Sequence, residues 1–238
     1  ATGWPATDWV EDMMLRTQSP ENYDKWVTNE LPFNSPEVVG AIEEFGHFAK
    51  NDAYVAGGTG AVASTDFRDN PKGLFDSPPQ CYLHHQASFI PAFFPDGTLV
   101  GEDGDANFFY MPAYADKDLG QPVLGAGTIF AITNDNPGAE ALIKFLQTPI
   151  AHEIWMAVPG QGFLTPLTTA NLDTYENDTR RALGEILTSA TTFRFDASDL
   201  MPGGVGAGTF WTGMVDYVGG ESAQSVADKI QASWDALK

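Results

Sequence analysis

A chain of 238 residues, 43% hydrophobic and 12% aromatic, can bury one large core or two modest lobes and is too apolar to be disordered. Its 32 acidic against 12 basic side chains leave a net charge of -20, so nucleic acid and anionic membrane surfaces are excluded as partners by repulsion. No stretch approaches the roughly 18 consecutive apolar residues of a membrane-crossing helix, and the lone Cys81 excludes a disulfide framework or thiolate metal cluster.

The opening Ala1-Thr2-Gly3-Trp4-Pro5 has no Met, no basic segment and no apolar leader, so either a signal has been removed or, the reading preferred here, the sequence is a piece of a longer chain. Helices are predicted over 7–16 and 20–28, the second introduced by Ser19, Pro20 and Glu21. Ser35-Pro36-Glu37 starts a third, with Val38, Val39, Ile42, Phe45, Phe48 and Ala49 following at helical spacing. Gly57-Gly58-Thr59-Gly60 is a flexible break, since it lacks the Lys and Ser/Thr of a phosphate loop. A weak helix over 64–76 ends at Ser77-Pro78-Pro79.

Cys81 to His84 reads as a buried strand with a packed thiol, and His85 to Phe94 as a short helix. A polar loop over 96–105 leads to a strand over 108–114. Gly125 to Thr133 is predicted as another strand. Asn134 or Asn136 then caps a helix with Pro137 in its first turn and Ala141, Leu142, Phe145 and Leu146 on one face. Pro149 opens a second amphipathic helix carrying Ile150, Ile154 and Trp155. A turn over 160–163, a helix near 177–190, a strand over 191–195, a glycine-rich loop over 202–208 and helices over 209–218 and 222–237 complete the chain. Helices interleaved with isolated strands argue an α/β architecture.

The order strand, cap, helix, proline, helix over 125–155 resembles the hinge-proximal segment of family 1 extracellular solute-binding proteins, the sugar receptors of ABC importers. Phe210-Trp211 after a glycine-rich loop, Trp4-Pro5, the His84-His85-Gln86 exit and the closing amphipathic helix over 221–237 are similar to the same family, most of all to its maltodextrin and α-glucoside-binding type. The resemblance implies a type II periplasmic-binding-protein-like fold, present mostly as its C-terminal lobe. Residues 1–124 and 167–238 would belong to that lobe, and 125–166 would return to an N-terminal lobe outside this sequence. The returning segment would then expose an apolar face and invite dimerisation. The implied function is oligosaccharide binding in an interlobe cleft, in the periplasm, with delivery to ABC permease subunits. No cofactor and no nucleotide site are implied.

A sugar offers apolar C–H faces and polar hydroxyl edges, so its site needs aromatic platforms and amide or imidazole groups at the rim. Trp211, Phe210 and Trp4 are the candidate platforms. His84, His85, Gln86, Gly125 and Gln161 are the other candidate ligand residues, and Trp9, Trp26, Trp155 and Trp234 are expected in the core. His47 and His152 stand far from other metal-binding types, so zinc is unsupported. Glu102, Asp103 and Asp105 with Asp96 form the most enzyme-like cluster. Crowded in one glycine-rich loop, they suit solvation, or calcium at most, better than a glycosidase pair. No Gly-X-Ser-X-Gly occurs, so acyl transfer is unsupported. The reading is a binding protein and not an enzyme; a glycosidase or accessory carbohydrate-binding module is the alternative.

Overall fold

Proline in the first helical turn recurs along the chain because its fixed φ suits the helix and its missing N–H would lack an intrahelical partner there. In the computed structural model, which describes residues 3–237, this device opens α1 (Trp4–Thr17), α2 (Pro20–Val27) and α3 (Pro36–Ala49). The Ser19 hydroxyl accepts the N–H of Asn22 at 3.3 Å. Ser35 occupies the equivalent place before α3, but its hydroxyl makes no capping bond and is buried without a partner. After α4 (Thr59–Ser64) the chain runs irregularly, with 3-10 turns at Asn70–Leu74 and Ile90–Phe93. The helices predicted over 64–76 and 85–94 therefore reduce to these turns.

The chain divides into two compact units. The first contains 1–84, 111–126 and 191–238, and the second 85–110 and 127–190. The predicted returning segment over 125–166 falls largely in the second.

In the first unit β1 (Pro122–Gly125) pairs in parallel with β2 (Thr192–Phe195), from Pro122 against Thr192 to Gly125 against Phe195. The helices α8 (Ala197–Leu200), α9 (Trp211–Val218) and α10 (Ala223–Asp235) follow. Trp26, Tyr23, Phe33, Phe45, Phe210, Met13, Met14, Ile42, Met214 and Ile230 are sealed in its core. The Trp26 ring meets Phe33 at 5.4 Å and Phe210 at 5.7 Å between centroids, and Phe33 meets Phe210 edge-on at 4.9 Å. α1 is buried on more than one side and takes polar groups inward with it. Asp12 and Arg16 form a buried ion pair at 2.5 Å, and Arg16 also donates to the carbonyls of Met111 and Pro112. These bonds hold the 111–112 segment on α1. They also satisfy a guanidinium that would be costly to bury alone.

The second unit contains α5 (Pro137–Leu146), α6 (Pro149–Met156) and α7 (Asp178–Ser189). Asn136 caps α5 by accepting the N–H groups of Gly138 and Ala139 at 3.0 Å, and Thr148 caps α6. Met156, Ala170 and Tyr175 form a small core packed by Phe163, Leu164, Leu167 and Leu172. His152 is structural: its Nδ1 lies 2.8 Å from the Thr165 hydroxyl and its Nε2 2.9 Å from the Leu146 carbonyl. α5 buries none of its residues, and Ile129, Phe130, Leu142, Phe145, Ile150 and Ile154 are exposed.

Three predicted strands are not formed. Residues 81–84 and 108–114 are irregular, and of the strand predicted over 125–133 only Gly125 lies in a ladder. Their β-forming residues have no partner strand, and a strand without a ladder leaves its backbone groups unpaired. Cys81 is half-buried and not part of a strand; burial, then the nearby Asp76, pushes its thiol up. The glycine-rich loop is also more ordered than predicted, because Val205–Phe210 forms a π-helical turn leading directly into α9. Gly206 permits this, since a Cβ there would collide with the Ser198 carbonyl.

Candidate functional site

In the first unit, Gly3 brings two of the candidate platforms into one neighbourhood. It sits at the N-cap of α1 with φ +73 and packs so closely on the Trp211 backbone that a Cβ would strike that carbonyl. Trp4, the next residue, is half-buried and meets the Phe67 ring edge-on at 5.0 Å. Trp211 opens α9, is likewise half-buried, and donates its indole N–H to the Ser198 hydroxyl at 3.2 Å. A ring pinned by its N–H at one edge keeps a fixed orientation, as a stacking platform requires.

Phe210 has no such freedom. It is 0% exposed, enclosed by Trp26 and Phe33, and its ring supports the core and offers no face to a ligand. Gly125 serves the sheet. Its carbonyl accepts the Asp196 N–H at 2.8 Å, and the Phe193 ring covers the place a Cβ would take. His84 belongs to the first unit, whereas His85, Gln86 and Gln161 belong to the second. All four are half-buried. The Gln86 side-chain oxygen accepts the N–H of Ala87, and that of Gln161 accepts the N–H of Phe163. The Gln161 amide nitrogen is buried without a partner, which leaves it a donor to offer. Within the second unit the two glutamine segments lie close, since Ser88 donates to the Gly162 carbonyl at 3.0 Å.

Trp155 is also placed otherwise than predicted. It is 38% exposed and stacks on Phe163 at 4.5 Å with 9° between the planes, whereas Trp26 is in the core and Trp9 and Trp234 pack against it. A concavity of about 320 Å³ in the first unit is lined by Thr17, Gln18, Glu37, Glu44, Tyr114 and Lys117, none of them a predicted ligand residue. The loop acids Asp96, Glu102, Asp103 and Asp105 are exposed, and Asp105 accepts the N–H of Leu99 at 2.9 Å. A solvated loop accounts for them.

Beside Trp211 lies a group that sequence reasoning missed. Asp8 and Glu11, three residues apart on α1, meet Asp196, which follows β2 and caps α8. One oxygen from each carboxylate lies within 4.8 Å of the others. Burial, then the charge of Asp196, holds the Asp8 carboxyl well above its usual range, with smaller contributions from Asp12 and Asp199. Glu11 is raised for the same two reasons and by Asp8, partly offset by the N–H groups of Ala197 and Ser198 that it accepts. Spacing of three on a helix that also buries Val10 and Met14 was the one signal in the sequence.

No helix among the described residues is long and apolar enough to cross a membrane. No family model and no solved structure matches the chain. Among curated proteins it is 66% identical over 239 aligned residues to the alpha-glucosides-binding periplasmic protein AglE of Rhizobium meliloti, covering 100% of this chain and 51% of AglE. It is 44% identical over 234 residues to the osmoprotective compounds-binding protein GgtB of Synechocystis, covering 98% of this chain and 54% of GgtB. The chain thus spans about half the length of the curated relatives it matches. Identity at this level along the whole sequence makes the chain a homologue of these binding proteins over about half of their length.

Proposed function

We propose that this chain is the C-terminal part of the substrate-binding component of an ABC sugar importer. The complete protein is a periplasmic receptor of the type II fold. It takes an α-glucoside or related oligosaccharide into a cleft between two lobes and delivers it to membrane permease subunits. The observation that carries this is the 66% identity, along the entire chain, to a protein named for binding α-glucosides. The approach of Gly3, next to Trp4, to the Trp211 backbone supports it, because it brings two aromatic residues into one neighbourhood and saccharide C–H faces stack on such rings.

Trp211 and Trp4 supply the ring faces, while Phe210 stays in the core against Trp26 and Phe33. Hydroxyl contacts are assigned to His84, His85, Gln86 and Gln161, each testable by single substitution. Binding energy comes from stacking and hydrogen bonds alone, so the protein is a receptor without catalytic turnover. The exposed residues of α5 and α6 are a docking face for the lobe outside this sequence. Where that lobe is missing, the same face favours dimerisation.

Calorimetric titration of the full-length protein with maltose, sucrose and trehalose tests the proposal. Saturable binding without release of reducing sugar supports a receptor. Turnover lost on changing Glu102 or Asp103 would instead establish a glycosidase. Failure of every saccharide to bind a folded full-length protein would remove the receptor reading.

A further inference from the structure

We propose that Asp8, Glu11 and Asp196 form a binding site for one divalent cation of the calcium type, independent of the saccharide reading. The three carboxylates come from α1 and from the turn between β2 and α8, and their oxygens converge within 4.8 Å. Among the described residues, no Lys or Arg forms an ion pair with any of them.

Each carboxylate retains capacity for a ligand bond. Glu11, fully buried, accepts one N–H on each oxygen, from Ser198 at 3.2 Å and Ala197 at 2.9 Å, so each oxygen keeps a lone pair. Asp196 accepts the Ser198 hydroxyl at 2.8 Å and the Asp199 N–H at 3.0 Å on Oδ1. Asp8 supplies the observation that points to a ligand: its Oδ1 is sealed from solvent and has no hydrogen-bond partner. A sealed carboxylate oxygen on a residue clustered with two further carboxylates, with no donor supplied by the protein, lacks a positive partner.

The donor set selects the ion. All three ligands are carboxylates, without His or Cys, so the site suits a hard cation and not zinc. Calcium binds oxygens at about 2.3–2.6 Å in irregular geometry, so oxygens on opposite sides of the ion stand about 5 Å apart. Magnesium demands a stricter octahedron at shorter distances, which carboxylates spread over 4.8 Å on two separate elements fit less well. Bound there, the ion clamps α1 to the turn before α8. Ser198 then relays its presence to Trp211, because the hydroxyl that donates to Asp196 accepts the Trp211 N–H.

The test uses metal-stripped protein titrated with calcium chloride and with magnesium chloride, followed by calorimetry and thermal unfolding. One calcium ion binds in preference to magnesium, and the melting temperature rises by about 5–10 °C at a hundred times Kd. Terbium luminescence sensitised by tryptophan appears and is displaced by calcium. Asp8→Asn lowers calcium affinity at least tenfold, while the double change Glu102→Gln and Asp103→Asn in the exposed loop leaves it unchanged. If Asp8→Asn fails to fold, the wild-type titration decides alone. Absence of a calcium response up to about 10 mM, beyond the weak extracellular class of sites, would overturn the proposal. So would a response that survives Asp8→Asn or disappears with the loop substitutions.

Discussion

The two units treat the same kind of helix in opposite ways. In the first, the apolar faces of α1, α3, α9 and α10 close on one another around Trp26, Phe33, Phe45 and Phe210. In the second, α5 and α6 are capped by Asn136 and Thr148, and α5 is as amphipathic as the core helices, yet Leu142, Phe145, Ile150 and Ile154 remain exposed. Periodicity records that a face needs cover. It does not say what supplies the cover, and only the first unit supplies its own.

The two tryptophans at the heart of this contrast give its largest expected effect. Trp26→Ala should destabilise the protein by about 3–5 kcal/mol, because its ring is sealed among aromatic neighbours. Denaturant unfolding measures this, and a change below about 1 kcal/mol would break the contrast. Nearly as large is Arg16→Ala, which removes the guanidinium from the buried Asp12 carboxylate and should cost about 3 kcal/mol. Replacing Asp12 and Arg16 together with apolar residues should cost less than the single change. Trp155→Ala, by comparison, loses one exposed stack on Phe163 and should cost about 1 kcal/mol. Phe145→Ser sharpens the difference further. Its effect on stability should stay within about 0.5 kcal/mol, while self-association followed by sedimentation should fall.

The smallest effect is alkaline. Burial, then the Glu44 carboxylate that accepts its hydroxyl, pushes Tyr114 up to about 12, and burial with Glu43 does the same for Tyr217. Both phenols in the folded state hold their protons above the ordinary tyrosine value of 10.0. Their contribution to stability is therefore complete below pH 10 and is lost as the pH rises through about 12. Unfolding curves across that window should show the loss, and Tyr114→Phe should diminish it.

Much of the helical framework was legible because its signals are local. Ser19-Pro20, Asn136-Pro137 and Thr148-Pro149 each mark a helix start that the structure contains. Strands were legible only where a partner exists: residues 191–195 find β1, whereas 81–84 and 108–114 have β-forming residues but no ladder. At the candidate site, Trp4 and Trp211 were singled out by their resemblance to the ligand aromatics of sugar receptors. Their closeness rests on Gly3, whose role depends on a contact more than two hundred positions away in sequence. Phe210 and Trp211 are adjacent and chemically alike, and only packing reveals that one faces the core. The carboxylate trio escaped for the same reason, since nothing near Asp8 or Glu11 announces Asp196.

Saccharide affinity of the full-length protein, compared with that of its Trp211→Ala variant, tests the central claim most directly. Calorimetry with an α-glucoside should show at least tenfold weaker binding by the variant, about 1.4 kcal/mol, with the fold intact. Equal affinity in a folded variant would contradict the claim that this indole ring holds the sugar.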